Sequence, residues 1–273
     1  MVKGRMAARP IAVAVMAALA GAAVPCFATQ TVGLTAKAAI VYDVDQGKVV
    51  YHKDMHALLP AASTVKILTA LIVRQKLDLD ERVTVSARAA GMAPSKAYLT
   101  AGADYAVRDL LKALLMGSAN DAGAALAEAV SGTEIKFALL MNETAAAMGA
   151  KESRFLNATG LPEGKKRQYS SAYDLSLFMR KFLKYPELAE IIRTKNASIT
   201  GSDGKVIHLR NHNKMLWRAP NTLVGKTGYT KRAQHCFLGV FPKGKRRLVV
   251  AIQGSQRPWA DLQYLMDKRY AKK

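Results

Sequence analysis

"PAASTVKILTAL", residues 60–71, puts Ser63 at the mouth of an oily segment and Lys66 three positions further on. From Ser63 to about Leu77 the chain reads as a helix. Val65, Ile67, Leu68, Ala70, Leu71, Ile72 and Val73 leave almost no polar side, which marks a helix buried within the protein. The i, i+3 spacing sets a hydroxyl and an amine on one face. A serine is a poor nucleophile until a base takes its proton, and lysine serves as that base only when its pKa is lowered. Burial disfavours the ammonium, and so does the positive end of the helix that Ser63 opens.

Taken alone, a serine at a helix start is most often an N-cap. With 12 serines and 24 lysines in 273 positions, a Ser-x-x-Lys pattern arises about once by chance. Ser202-Asp203-Gly204-Lys205 is a second match, in a turn between strands where nothing depresses the lysine. Two further motifs favour the first. Ser118-Ala119-Asn120 follows a glycine helix stop in "LLMGSANDAG", offering a hydroxyl and a carboxamide on an inter-helix loop. Lys226-Thr227-Gly228 ends an apolar strand in "LVGKTGYT", where glycine lets backbone approach a ligand closely.

Around these motifs, "AAIVYDVDQGKVVYHKD" gives two alternating runs about Asp45-Gln46-Gly47, a β-hairpin. Residues 107–183 are helical in pattern, with Gly117, Gly132 and Gly149 at the stops. After residue 195 "NASITGSDGKVIHL", "LVGKT", "HCFLGVF" and "RRLVVAIQGS" read as strands, and "RPWADLQYLMDKRYAKK" closes as a helix packed on the sheet. Strands thus flank a helical middle. The expected architecture is one sheet assembled from both chain ends, with a helical second lobe over about residues 78–190 and a site in the cleft between. No repeat or low-complexity linker divides the chain.

Half of the 273 residues are apolar, enough for a large core. Lys3, Arg5 and Arg9 precede an apolar run from Ile11 to Val24 and small residues around Ala28. This reads as a secretory signal over residues 1–28, too short in its apolar part for the roughly 18–20 residues that span a bilayer. Cleavage would leave Cys236 without an intramolecular partner, in an apolar strand where a buried inert thiol is expected. The net charge of +21, from 41 basic and 20 acidic residues, becomes 38 − 20 = +18 once those three are removed. The basic residues are scattered over loops and the tail without interleaved aromatics, a solvated surface rather than a nucleic-acid groove. The field would still draw an exported protein to anionic envelope polymers or a membrane surface. His52, His56, His208 and His235 lack metal spacing, and neither a metal nor another cofactor is expected.

Taken with "MNETAAAMGAKESRFLNATGLP" and "NHNKMLW", the three motifs resemble the penicillin-recognising serine enzymes. Within them the chain resembles the D-alanyl-D-alanine carboxypeptidases, the low-molecular-weight penicillin-binding proteins, from about Ala38 to Ser255. The resemblance implies an α/β (α+β) fold of the β-lactamase/transpeptidase type, an antiparallel sheet flanked by helices, in one catalytic domain over residues 29–273. It implies Ser63 as nucleophile, Lys66 as general base and Ser118 passing a proton to the leaving amine. Asn120 would hold the substrate amide, Lys226 and Thr227 the terminal carboxylate, and the strand through Gly228 the substrate. The backbone N–H groups of Ser63 and Tyr229 would form the oxyanion hole. Substrates would be peptidoglycan stem peptides, with β-lactams as covalent inhibitors. Neither the C-terminal β-domain nor the amphipathic membrane helix that many relatives carry is expected in this chain.

Alternatives stay open: a D,D-endopeptidase on peptidoglycan crosslinks, a serine β-lactamase, or a catalytically silent, basic wall-binding protein. Glu163 in "LPEGKKRQ" lacks the loop pattern that activates water in class A β-lactamases. His212 stands where relatives often carry arginine, so contact with the substrate carboxylate is expected to be weaker or pH dependent. Comparing the substrate affinity of wild type and His212→Ala between about pH 5.5 and 8 tests the pH dependence; identical profiles would exclude it.

Overall fold

The computed structural model describes residues 1–2, 33–218, 224–268 and 270; the expected signal lies outside the described residues, apart from its first two positions. Gly33–Lys273 form one compact unit. In chain order its elements are β1 (Ala38–Asp43), β2 (Lys48–Lys53), α1 (Lys66–Lys76), β3 (Arg82–Thr84), α2 (Ala87–Ala90), β4 (Asp104–Ala106), α3 (Val107–Met116), α4 (Asn120–Ser131) and α5 (Glu134–Ala147). There follow α6 (Ala172–Phe182), α7 (Pro186–Arg193), β5 (Asn196–Thr200), β6 (Val206–Arg210), α8 (Met215–Arg218), β7 (Val224–Thr230), β8 (Gln234–Lys243), β9 (Arg246–Ser255) and α9 (Pro258–Asp267). Among the described residues no helix is long and apolar enough to cross a membrane.

The main sheet has the order β2-β1-β9-β8-β7, antiparallel throughout. It joins the hairpin of the amino-terminal part to three strands of the carboxy-terminal part, as the sequence pattern implies. Alternation along its inner strands explains the layering. Ala38 and Ile40 of β1, with Val249 and Ala251 of β9, enter the larger core. Ala39, Val41, Leu248, Val250 and Ile252 point the other way, to a second core closed by Leu262 and Leu265 of α9. The period of two feeds two cores at once. α1 lies in the larger core, with every residue from Lys66 to Val73 buried. Its one buried hydroxyl, Thr69 Oγ1, donates to Ala158 O at 2.7 Å, so burial leaves no orphan there.

In the helical middle, α3 and α4 stop at Gly117 and Gly132, the latter with φ +75°. Gly149 has φ +85°, two residues after α5 ends. The expectation of a single sheet needs correction. β5 and β6 pair only with each other. They bury one face, through Ile199, Ile207 and Leu209, against the larger core, while the alternate positions on the other face stay wet, as a one-sided hairpin allows. β3 and β4 form another small sheet that the sequence pattern did not reveal.

The segment "NATGLP", residues 157–162, sets the shape of the serine turn. Asn157 Oδ1 accepts from the N–H of Gly160 at 2.8 Å, and its Nδ2 donates to Leu161 O at 2.8 Å. This wraps the loop so that Gly160, at φ +83°, lies against the turn; a Cβ there would stand 2.1 Å from Ala62 O. Both the backbone conformation and the contact require glycine. Gly160→Ala is therefore expected to cost about 2–4 kcal/mol, lowering Tm by about 5–10 °C in a thermal melt. An unchanged Tm would show that the turn relaxes without cost.

Candidate active site

Four residues of 3₁₀ geometry precede the α-helix that the sequence suggested would begin at Ser63. Ala62–Val65 form a 3₁₀ turn, entered through Ala62 at φ +47°, and α-helical structure begins at Lys66. Ser63 caps nothing with its side chain. A 3₁₀ turn eclipses positions i and i+3, and Lys66 Nζ lies 3.0 Å from Ser63 Oγ. Gly228 of β7 closes from the other side; a Cβ there would be 3.0 Å from Ser63 N.

Lys66 is 0% exposed. Burial holds its ammonium well below the usual lysine pKa, and the positive charge of Lys226 lowers it further, against opposing pulls from Asp121 and Glu134. Nζ also lies 2.6 Å from Asn120 Oδ1, 3.0 Å from Ser118 O and 3.4 Å from Ser118 Oγ. A neutral amine has two protons and one lone pair. Asn120 Oδ1 and Ser118 O carry no proton and must accept, which leaves the lone pair for a hydroxyl, Ser63 being the nearer. Ser118 has φ +57°, a left-handed conformation that costs a non-glycine residue about 1–2 kcal/mol and is accompanied by both of its oxygens lying near Lys66.

Asn120 opens α4 and is itself anchored. Its Nδ2 donates to Ala93 O at 2.8 Å and its backbone N–H to Ser95 O at 2.7 Å. Next to it, buried Asp121 accepts from the N–H groups of Ala97 at 3.0 Å and Leu99 at 3.1 Å, fixing the loop that overhangs the cleft.

β7 forms the opposite wall as an edge strand of the main sheet. It continues to Thr230, past Lys226-Thr227-Gly228, which the sequence placed at its end. Gly225 pairs with Gly239 of β8, where any Cβ would meet backbone or the Phe237 ring within 2.7 Å. Lys226 is buried, donates to Thr227 O at 2.8 Å, and has its pKa lowered by burial to about 7.

Ser63, Ser118, Thr227, Gly228 and Tyr229 line one cleft of about 490 Å³, together with His212. Lys66, Asn120 and Lys226 are buried and do not line it. The structure thus brings the predicted residues together around one space. His235 and Trp259 also line it; sequence reasoning treated both as ordinary strand and helix positions. The His235 ring lies 4.7 Å from that of Tyr229, a pairing that the i, i+6 separation across a strand turn does not advertise. Burial, then Lys226 and Lys66, push His212 down to about 4. It is therefore neutral across the pH range in which a titrating contact was considered, which favours the weaker contact.

Cys236 is buried and its thiol is pushed up to about 12 by burial, inert as expected. The dismissed Ser202–Lys205 match sits at the β5–β6 turn, where exposed Lys205 donates to Tyr98 O.

A buried amine against a serine hydroxyl, facing an edge strand, is an arrangement equipped for acyl transfer through a serine ester. The chain belongs to the D-alanyl-D-alanine carboxypeptidase family, peptidase S11, whose model matches residues 26–256. It is 34% identical over 228 residues to the D-alanyl-D-alanine carboxypeptidase DacF of Bacillus subtilis, covering 82% of this chain and 58% of that one. It is 31% identical over 212 residues to a D-alanyl-D-alanine endopeptidase of Pseudomonas aeruginosa, covering 75% and 66%. A crystal structure of a D-alanyl-D-alanine carboxypeptidase from Mycobacterium tuberculosis superposes with a TM-score of 0.80 at 31% identity, covering 85% of this chain and 90% of that one.

The lowered pKa of Lys226 links the site to stability. Below about 7 the lysine is charged in both folded and unfolded states, and the folded state bears the full cost of burying it. Between about 7 and the ordinary lysine value only the unfolded state holds the proton, so this cost diminishes as pH rises. Lys226→Met is expected to raise the urea midpoint at pH 6, with a smaller gain at pH 9. Equal gains would contradict the burial of a titrating ammonium.

Proposed function

We propose that this protein is a serine D-Ala-D-Ala carboxypeptidase acting on peptidoglycan stem peptides. The observation that carries the reading is the 3.0 Å approach of the buried Lys66 Nζ to Ser63 Oγ, with the amine held toward its neutral form. Ser63 Oγ attacks the carbonyl of the penultimate D-alanine while Lys66 takes its proton. The negative charge that develops on the carbonyl oxygen meets the backbone N–H groups of Ser63 and Tyr229. As the intermediate collapses, the C–N bond breaks and the proton passes through Ser118 to the departing D-alanine nitrogen. Water then attacks the acyl ester, delivering a proton through Lys66 to Ser63 Oγ.

Lys226 and Thr227 bind the terminal carboxylate of the substrate. The peptide lies along the open edge of β7, whose backbone groups are available for strand-like pairing. Asn120 has one amide N–H committed to Ala93 O and a second for the substrate carbonyl.

The same acylation makes β-lactams covalent inhibitors. Slow release of the penicilloyl group, rather than lactamase turnover, is supported by the position of Glu163. That residue is exposed, accepts from Asn157 Nδ2 at 3.0 Å and does not line the cleft. Export to the cell envelope agrees with the amino-terminal pattern, and the net charge of +21 suits attraction to anionic wall polymers or lipid surfaces. One catalytic domain over residues 29–273 is part of the same proposal.

Labelled penicillin is expected to attach to the wild-type protein and remain bound, and the protein is expected to release D-alanine from an N-acylated D-Ala-D-Ala peptide. Ser63→Ala should lose both signals, and Lys66→Ala should lower the acylation rate by about 10³. Failure of the wild type to take the label, or equal labelling of Ser63→Ala, would favour a silent wall-binding protein; rapid loss of the label would favour a β-lactamase.

A further inference from the structure

Past the serine turn, a narrow space lined by Ala61, Ala62, Gly160 and Thr230 leads to a cavity of about 320 Å³. The two share Pro60, Gln168, Tyr169 and Arg232. Thr230 is the last residue of β7, and the period of two puts it on the same face as Lys226 and Gly228. From Lys226 to Thr230 the strand advances about 13 Å, and Arg232 stands in the turn that follows. With the terminal carboxylate at Lys226 and Thr227 and the scissile carbonyl at the N–H groups of Ser63 and Tyr229, as proposed above, the acyl side of the substrate runs on toward Thr230 and this cavity.

The cavity is basic and its frame is fixed. Lys37, Arg167 and Arg232 line it, and no lining residue is acidic. Among the described residues none of the three takes part in an ion pair. Glu163, on the same loop as Arg167, accepts from Asn157 Nδ2 and does not line the cavity. Three cations at one cavity repel one another, and a bound anion removes that repulsion. Their backbone supports are tied down. Leu59 and Ser170 exchange backbone hydrogen bonds of 3.2 and 3.0 Å, and Arg154 and Tyr169 exchange a pair of 2.9 and 3.0 Å. The stem of Lys37 lies flat over Gly254, where a Cβ would come within 3.0 Å of it.

An extended peptide with its carboxylate at Lys226 reaches Thr230 with the residue three or four places upstream, at about 3.3 Å per residue. A carboxyl group at that point of a stem peptide exists either free or as its amide. We infer that Lys37, Arg167 and Arg232 form an anion subsite for the free carboxylate, so that the protein favours acidic stem peptides over the same peptides amidated at that position. This deepens the reading given above and rests on it. A guanidinium fork matches the two oxygens of a carboxylate, whereas a carboxamide offers one oxygen, no charge and an NH₂ group that meets only donors. The chemistry at Ser63 is the same for both substrates; the subsite acts on which of them is held along β7.

Arg167 and Arg232 are exposed and do not line the catalytic cleft, so their variants separate the two spaces. Two N-acetyl pentapeptides ending in D-Ala-D-Ala serve as probes, alike except that the γ-linked D-glutamate at the second position has its α-carboxyl free in one and amidated in the other. On a Ser63→Ala background, calorimetric titration measures binding without turnover. The acid is expected to bind about tenfold more tightly than the amide. Arg167→Gln combined with Arg232→Gln should bring the acid down to the affinity of the amide, and raising the salt from about 50 to 300 mM should weaken the acid alone. In the active protein the same pair of substitutions should lower kcat/KM for D-alanine release from the acid about tenfold, leaving release from the amide and attachment of labelled penicillin unchanged. Equal affinities of the Ser63→Ala protein for the two peptides, binding of neither, or an equal loss on both in the double variant would each overturn the inference. Release of D-alanine from the amide and penicillin labelling report separately on the carboxypeptidase reading: their failure, with the preference for the acid intact in binding, would overturn that reading and uphold the subsite.

Discussion

An amine kept from water at the start of α1 is the constraint on which the site depends. A charged lysine in that position would be costly, and a lysine with no polar partner would be costly as well. The fold answers both demands. Lys66 lies among apolar residues of the larger core, with Asn120 Oδ1 and Ser118 O as acceptors. Those two acceptors take the two protons that a neutral amine can give and direct its remaining lone pair to the serine. Asn120 is fixed in turn by Ala93 and Ser95, so the orientation of the Lys66 amine is set two contacts away from the Ser63 hydroxyl.

The same economy shapes the other wall. Lys226 is also buried, and its charge lowers the pKa of Lys66 further, whereas burial alone lowers its own. Glycines let the surrounding backbone close on the serine turn: Gly228 from β7 and Gly160 from the loop organised by Asn157. Two strained residues in the turns, Ala62 and Ser118, have positive φ. Strain of this kind persists only where surrounding contacts over-determine it, and here those contacts are the packed faces of α1, α4 and β7.

Much of this was legible in the sequence because the signals are local. The oily run after Lys66 announced a buried helix, the alternating runs announced strands, and glycines marked the helix stops. The short motifs around Ser63, Ser118 and Lys226 identified the residues that the fold brings together around one cleft. Non-local features were not legible. That β5 and β6 stand apart from the main sheet is a matter of partner choice, which alternation within a strand does not encode. Gly160 is an ordinary turn residue until Ala62, almost a hundred positions earlier, is seen against it. His235 and Trp259 become part of the cleft only through the pairing of β7 with β8 and the docking of α9.

By itself, then, the sequence determined which groups are available for chemistry and which segments must be buried, since composition and periodicity act over a few residues. Tertiary structure decided the state and aim of those groups. A lysine becomes a base only when other parts of the chain remove its water and claim its protons, and a basic cavity past the serine turn exists only when the segments around Lys37, Pro60, Arg167 and Arg232 meet. These are properties of the space between distant segments, which no single stretch of chain contains.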